Sequence, residues 1–135
     1  MVATLIDSNV LIDVIEKTLD WSDWSVEALE TAGSEGSIVI NQVIYAEVSV
    51  RYSDTDELDR DLPIDLFQRE QIPWPAAFLA GKAFVDYRRR GGRRRSPLPD
   101  FFIGAHAAVT GLRLLTRDPL RYRTYFPTVE LIAPE

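Results

Sequence analysis

Cysteine is absent from this 135-residue chain, and histidine occurs once, as His106. The first absence excludes disulfides, thiolate metal sites and a cysteine nucleophile. Together the two leave no ligand set for a structural zinc ion, and a Ser–His–Asp triad would have to rest on His106 alone. That residue lies among small neighbours in the apolar run FFIGAHAAV (101–109), where packing is its expected role. Lysine is scarce, with only Lys17 and Lys82. No apolar run approaches the length that spans a bilayer, so no membrane association is expected. The opening MVATLID carries no basic stretch ahead of an apolar one. No secretory signal is read there, and a cytoplasmic location is expected.

What is present is an ordinary globular mix, 46% hydrophobic and 27% charged, in a length that suits one domain over residues 1–135. The net charge of −6 conceals a strong polarity along the chain. Residues 1–80 hold 4 basic and 16 acidic side chains, whereas residues 81–135 hold 11 basic and 5 acidic ones. Six of the basic residues fall together around a Gly-Gly pair: Arg88, Arg89, Arg90, Arg93, Arg94 and Arg95. Flexible arginines in a loop suit phosphate binding. The plain alternative is a solvated helix end.

The apolar spacing predicts alternating elements. TLID (4–7) reads as a strand, followed by a helix carrying Val10, Leu11, Val14 and Ile15 and capped by Ser8 or Asn9. A helix over about 23–32 is expected to stop at Gly33, and SIVIN (37–41) is the next strand. A helix follows from Gln42 to about Tyr52, and the acidic stretch 54–70 reads as helical with a break or an end at Pro63. Pro75 opens a long helix to about Arg90, ended by Gly91 and Gly92. Pro97 and Pro99 introduce a helix over 100–110 that Gly111 closes. LRLLT (112–116) and VELIA (129–133) are the remaining strands, with a short helix near 119–125 between them. Such alternation indicates an α/β fold with a mostly parallel sheet. Ligands of open parallel sheets bind beyond the carboxyl ends of the strands, where Asp7 and Asp118 fall.

Each candidate acid has a plain structural reading. Asp7 can cap a helix, Asp118 before Pro119 can be a turn residue, and Asp100 suits a helix start electrostatically. Glu47 is harder to set aside. On its helix it shares a face with Val43 and Val50 beside Ile44 and Val48, and burying a carboxylate there is costly unless a partner or a cation compensates. Four such acids converging at one sheet edge would repel one another, and no nearby Lys or Arg stands out as their partner. A hard divalent ion with oxygen ligands meets the need.

LIDSNVLIDV (5–14), NQVIYAEVS (41–49) and PDFFIGAHAAVTGLRLLTRD (99–118) resemble the three signature blocks of PIN-domain nucleases. The likeness is greatest to the VapC-type toxins of bacterial and archaeal toxin–antitoxin modules. RYRTYFPTVELIAP (121–134) is similar to the closing segment of that subgroup, and the resemblance is weakest across 54–74. It implies a three-layer α/β/α fold around a mostly parallel sheet of four to five strands. It also implies a ribonuclease dependent on one or two Mg²⁺ or Mn²⁺ ions, leaving 5′-phosphate and 3′-hydroxyl ends on the RNA. Asp7, Glu47, Asp100 and Asp118 match the catalytic acids, with Asp7, Asp100 and Asp118 as metal ligands. Asn9 and Thr116 match polar positions that would orient those ligands, although a cap and a β-branched strand residue explain them equally. Arg88, Arg89, Arg93, Arg94 and Arg95 would bind RNA. A homodimer and a VapB-type antitoxin are the implied partners, with Trp21 and Trp24 as candidate antitoxin contacts or ordinary packing residues.

Rival classes fit less well. A phospho-accepting receiver domain wants an acidic pair near the first strand and a late lysine, and neither is offered. A dehalogenase-like phosphatase wants a second Asp where Asn9 stands. A non-catalytic RNA- or protein-binding module on the same fold remains the alternative.

Overall fold

The computed structural model describes residues 1–92 and 97–135. Five short strands form: β1 (Thr4–Ile6), β2 (Ile38–Ile40), β3 (Phe67–Arg69), β4 (Arg113–Leu115) and β5 (Leu131–Ile132). Among the described residues seven helices join them. These are α1 (Ser8–Glu16), α2 (Ser22–Glu35), α3 (Gln42–Ser49), α4 (Thr55–Asp61), α5 (Trp74–Arg89), α6 (Leu98–Thr110) and α7 (Leu120–Tyr125). The sheet is parallel throughout, in the order β3-β2-β1-β4-β5, and helices flank it in an α/β/α arrangement. None of the described helices is long and apolar enough to cross a membrane.

The apolar strands sit where a sheet covered on both faces needs them. Leu5, Ile6, Val39, Ile40, Leu114 and Leu115 are all fully buried. Side chains on both faces of the central strands meet helices, so these strands read as continuous apolar runs. The chain moves outward from β1 through β2 to β3, then crosses back to place β4 on the other side of β1. That reversal between β1 and β4 opens a crevice at the carboxyl edge, directly after Ile6 and Leu115.

The structure corrects several expected boundaries. Residues 54–70 are helical only in their first part: the end expected at Pro63 forms, with α4 stopping at Asp61, and β3 follows as an edge strand. Only Phe67 of that strand is buried, so its sequence carries no apolar pattern to read. Helix α2 runs through the exposed Gly33 to Glu35, and α3 stops at Ser49. Neither Ser8 nor Asn9 caps α1, which begins at Ser8 with Asp7 in the cap position. The expected ends at Gly91 and Gly111 do form, both glycines adopting left-handed backbone.

Helix α6 lies close against the ring of Phe126 because Gly104 has no side chain. A Cβ placed there would stand 2.3 Å from a ring carbon of that buried phenylalanine. Overpacking costs about 1–3 kcal/mol and outweighs the ~1 kcal/mol of helix propensity that alanine adds. Gly104→Ala is therefore expected to lower the unfolding free energy by up to ~2 kcal/mol, read as a lower urea midpoint, while a raised midpoint would show that the ring yields freely.

Candidate active site

Asp7 ends β1 at the crevice, 3% exposed, and its carboxylate makes no capping bond to α1. The oxygens serve other partners. Thr116 Oγ1 donates to Oδ2 at 2.8 Å and the Tyr122 hydroxyl donates to the same atom at 2.9 Å. Burial foremost, then the charge of Asp100, raises the Asp7 pKa from 3.8 to about 6, against the lowering effect of those two hydrogen bonds. Tyr122 is itself buried and its hydroxyl is held well above the usual tyrosine range, so it acts as a neutral donor.

The other acids arrive from different elements. Glu47 on α3 is half-buried and accepts from Ser8 Oγ at 2.8 Å. Its pKa is raised by burial and by Asp100, and lowered by that serine. Asp100, in the first turn of α6, accepts from Arg121 Nη1 at 2.7 Å. Burial raises its pKa most, the arginine opposes that, and Asp118 adds to it. Asp118 is exposed beyond β4 and its N–H donates to Thr116 Oγ1 at 3.1 Å. A hollow of about 380 Å³ opens between Asp100, Asp118, Arg121, Thr124 and Tyr125.

Asp7, Glu47 and Asp100 thus share one electrostatic neighbourhood, and Asp118 joins it through Asp100. The donor chemistry suits a hard divalent ion: oxygen ligands only, three of them reluctant to ionise in one another's presence. The cage is not preassembled, for among the described residues no three acid or histidine side chains stand together as an ion site. The expected absence of a basic partner is also corrected, because Arg121 reaches Asp100 from α7.

The structure ties the edge together through Asn9 and Thr116, which the sequence singled out, and through Arg117, Asp13 and Ser25, which it did not. Asn9 Oδ1 accepts from the Arg117 N–H at 3.2 Å, and Asn9 Nδ2 stands 3.4 Å from Thr116 Oγ1. Arg117 in turn grips Asp13 with two hydrogen bonds, at 2.7 and 3.1 Å, while Ser25 Oγ donates to the same carboxylate at 2.8 Å. Asp13 is fully buried. This clasp fixes the turn before Asp118 to both α1 and α2. A charged residue inside the apolar pattern of α1 was the available signal.

A family model described as PIN domain matches residues 4–127. The chain belongs to the PIN-domain family. Solved structures share its fold at low identity. VapBC2 of Rickettsia felis, bound to a promoter DNA fragment, is 16% identical with a TM-score of 0.74, over 98% of this chain and 99% of that one. A toxin–antitoxin complex from Klebsiella pneumoniae is 21% identical at 0.69, over 98% of each chain. FitAcB of Neisseria gonorrhoeae is 17% identical at 0.70, over 96% of each. No curated relative matches the chain in sequence.

Arg88 and Arg89 are exposed at the end of α5, Arg88 beside the Phe84 ring, and neither bonds an acid of the site. Arg90 lies 5.3 Å over Tyr125, at the edge of the hollow. Arg93, Arg94 and Arg95 fall outside the described residues. Trp21 and Trp24 are both half-buried and meet edge to face at 6.3 Å, with the Arg117 guanidinium over Trp21. His106 is a packing residue: fully buried, its Nδ1 accepts from Asn41 Nδ2 at 3.0 Å, and burial lowers its pKa. Asn41 also caps α3 through Ile44, so this bond joins the helix of Asp100 to the helix of Glu47.

Two outcomes follow for the metal-free protein. The folded chain takes up a proton on Asp7 more readily than the unfolded chain. This residue therefore favours folding below pH ~4, and the advantage is lost as pH rises through about 6. Asp7→Asn removes the penalty and should stabilise the protein in EDTA at pH 7.5 by roughly 2–3 kcal/mol, with little effect at pH 4, measured by urea unfolding. Asp13→Ala strips Arg117 and Ser25 of their partner and should cost about 3 kcal/mol in the same unfolding measurement at pH 7.5.

Proposed function

We propose that this PIN domain is a divalent-metal-dependent endoribonuclease of the VapC type, the toxin of a toxin–antitoxin pair. One observation carries the reading. The buried Asp7 stands at the switch point of a parallel sheet, within the electrostatic reach of Asp100 and Glu47, and Asp100 shares an open hollow with Asp118. Burying such charges costs stability, and a site that performs no ion chemistry gains nothing from it. The toxin–antitoxin complexes among the solved relatives add support for the biological role.

Asp7, Asp100 and Asp118 would hold Mg²⁺ or Mn²⁺, one ion or two, with Glu47 completing the shell or orienting the attacking water. Bound there, the ion supplies an acidified water and offsets charge on the phosphoryl oxygens. The chain's own groups do the positioning. Thr116 and Tyr122 hold one Asp7 oxygen from two sides, Ser8 aims Glu47, and Asn9 fixes the turn that carries Asp118. Arg88, Arg89 and the arginines that follow would bind the RNA backbone. Trp21 and Trp24 would contact a VapB-type antitoxin, and the toxin would work as a homodimer in the cytoplasm.

Incubation of the purified chain with total cellular RNA in Mg²⁺ or Mn²⁺ tests the reading. Discrete fragments are expected, abolished by EDTA and cut at least ~100-fold in Asp7→Asn, given that metal assistance is worth several kcal/mol at 1.36 kcal/mol per tenfold. Cleavage that survives in that variant would place the chemistry elsewhere. The dispersed acids favour one second reading, a non-catalytic RNA- or protein-binding module on the same fold, and retention of RNA without cleavage in either metal would support it.

A further inference from the structure

Helix α7 contributes two successive side chains to two different acids. Tyr122 is buried and neutral and holds Asp7 from within the core. Arg121 is unlike it in every respect that matters for movement. It is charged, its side chain is 37% exposed, and it lies at the wall of the 380 Å³ hollow that it shares with Asp100, Asp118, Thr124 and Tyr125. Its guanidinium stands 5.9 Å from the ring centre of Tyr87, which gives the flat group a platform to slide along. Among the described residues it is the one basic side chain bonded to a carboxylate of the four acids.

A guanidinium and a divalent ion ask for the same thing from Asp100, a carboxylate oxygen in direct contact. The Arg121 bond to Oδ2 is a short one of 2.7 Å, and Asp100 stands in no three-acid cage. An ion that takes Oδ2 of Asp100 as its ligand therefore displaces the arginine from it. Once displaced, Arg121 has open space beside it and a planar fork suited to phosphate oxygens.

On the metal-nuclease reading given above, we propose that Arg121 is an internal counter-ion. It holds Asp100 while the site is metal-free, gives that carboxylate up when a divalent ion binds, and turns to a phosphate of the RNA strand in the adjoining hollow. Ion binding and substrate binding are thereby linked through one side chain, with Tyr122 keeping α7 in place throughout.

Direct Mn²⁺ binding to the full chain without RNA, followed by the electron paramagnetic resonance of free Mn²⁺, tests the first half. Arg121→Gln should bind Mn²⁺ about tenfold more tightly than the native chain, the size of one charge-assisted hydrogen bond at a partly exposed site. Arg121→Lys keeps the charge and should stay close to the native affinity. The second half predicts that Arg121→Gln raises KM for an RNA oligonucleotide about tenfold, one lost phosphate contact. Equal Mn²⁺ affinity in Arg121→Gln and the native chain overturns the counter-ion role and leaves the metal site standing. Tighter Mn²⁺ with unchanged KM overturns the phosphate role. Mn²⁺ bound by no variant, or equally well by Asp7→Asn, overturns the metal-site reading and this proposal with it. Should Arg121→Gln fail to fold, the Nε–H resonance of Arg121 in the native chain decides: it should move as Mg²⁺ saturates, and a fixed resonance overturns the proposal.

Discussion

An ionisable carboxylate shut away from water at the end of a central strand constrains everything placed around it. Asp7 cannot be left without donors, and its two shortest hydrogen bonds come from the far side of the switch point. Thr116 follows β4, and Tyr122 belongs to the helix beyond. Holding Asp7 therefore fixes the distance between β1, the end of β4 and α7. Those three pieces are the walls of the crevice. The arrangement stabilises the site only in part, because the folded protein still resists the full charge on Asp7. The tension is local and directed. Its natural relief is a cation in the crevice, and Arg121 answers it only at the outer acid.

The second constraint lies one turn along α1. Asp13 is buried and doubly bonded to Arg117, and Arg117 lies between Thr116 and Asp118. The acid-bearing turn is thus held from its outer side by Asp13 and from its inner side by Asn9 and Thr116. Arg117 also covers Trp21, and Ser25 carries the same network into α2. The surface formed by α2 and the chemistry at the sheet edge are consequently parts of one bonded unit. A change in either is mechanically adjacent to the other.

Much of this was legible in the chain. The central strands announce themselves because they are buried on both faces, and their apolar runs end at Asp7 and near Asp118. Glu47 was visible as a charge among Val43, Ile44 and Val48. The edge strand β3 was not visible, since Gln68 and Arg69 face solvent and only Phe67 reports burial. The supporting residues were hidden for a different reason. Ser8, Tyr122 and Arg121 are ordinary in local composition, and their roles come from partners 39, 115 and 21 residues away. Local patterns carry secondary structure, whereas hydrogen bonds across such distances exist only after the sheet has set its register. Asp13 was the exception, legible in principle as a charge within an apolar helix face.

The separations in that list have a temporal side. Asp7 is synthesised 109 residues before Thr116 and 115 before Tyr122, so over that stretch of synthesis the carboxylate lacks its two shortest hydrogen bonds. Non-local contacts of this kind form late and slowly, and a nascent domain completes them as a unit. The crevice between β1 and β4 accordingly cannot be assembled until α7 has been made. A chain stalled before the closing helix carries all four acids and no assembled site, so the order of the strands is also a delay built into the birth of the protein.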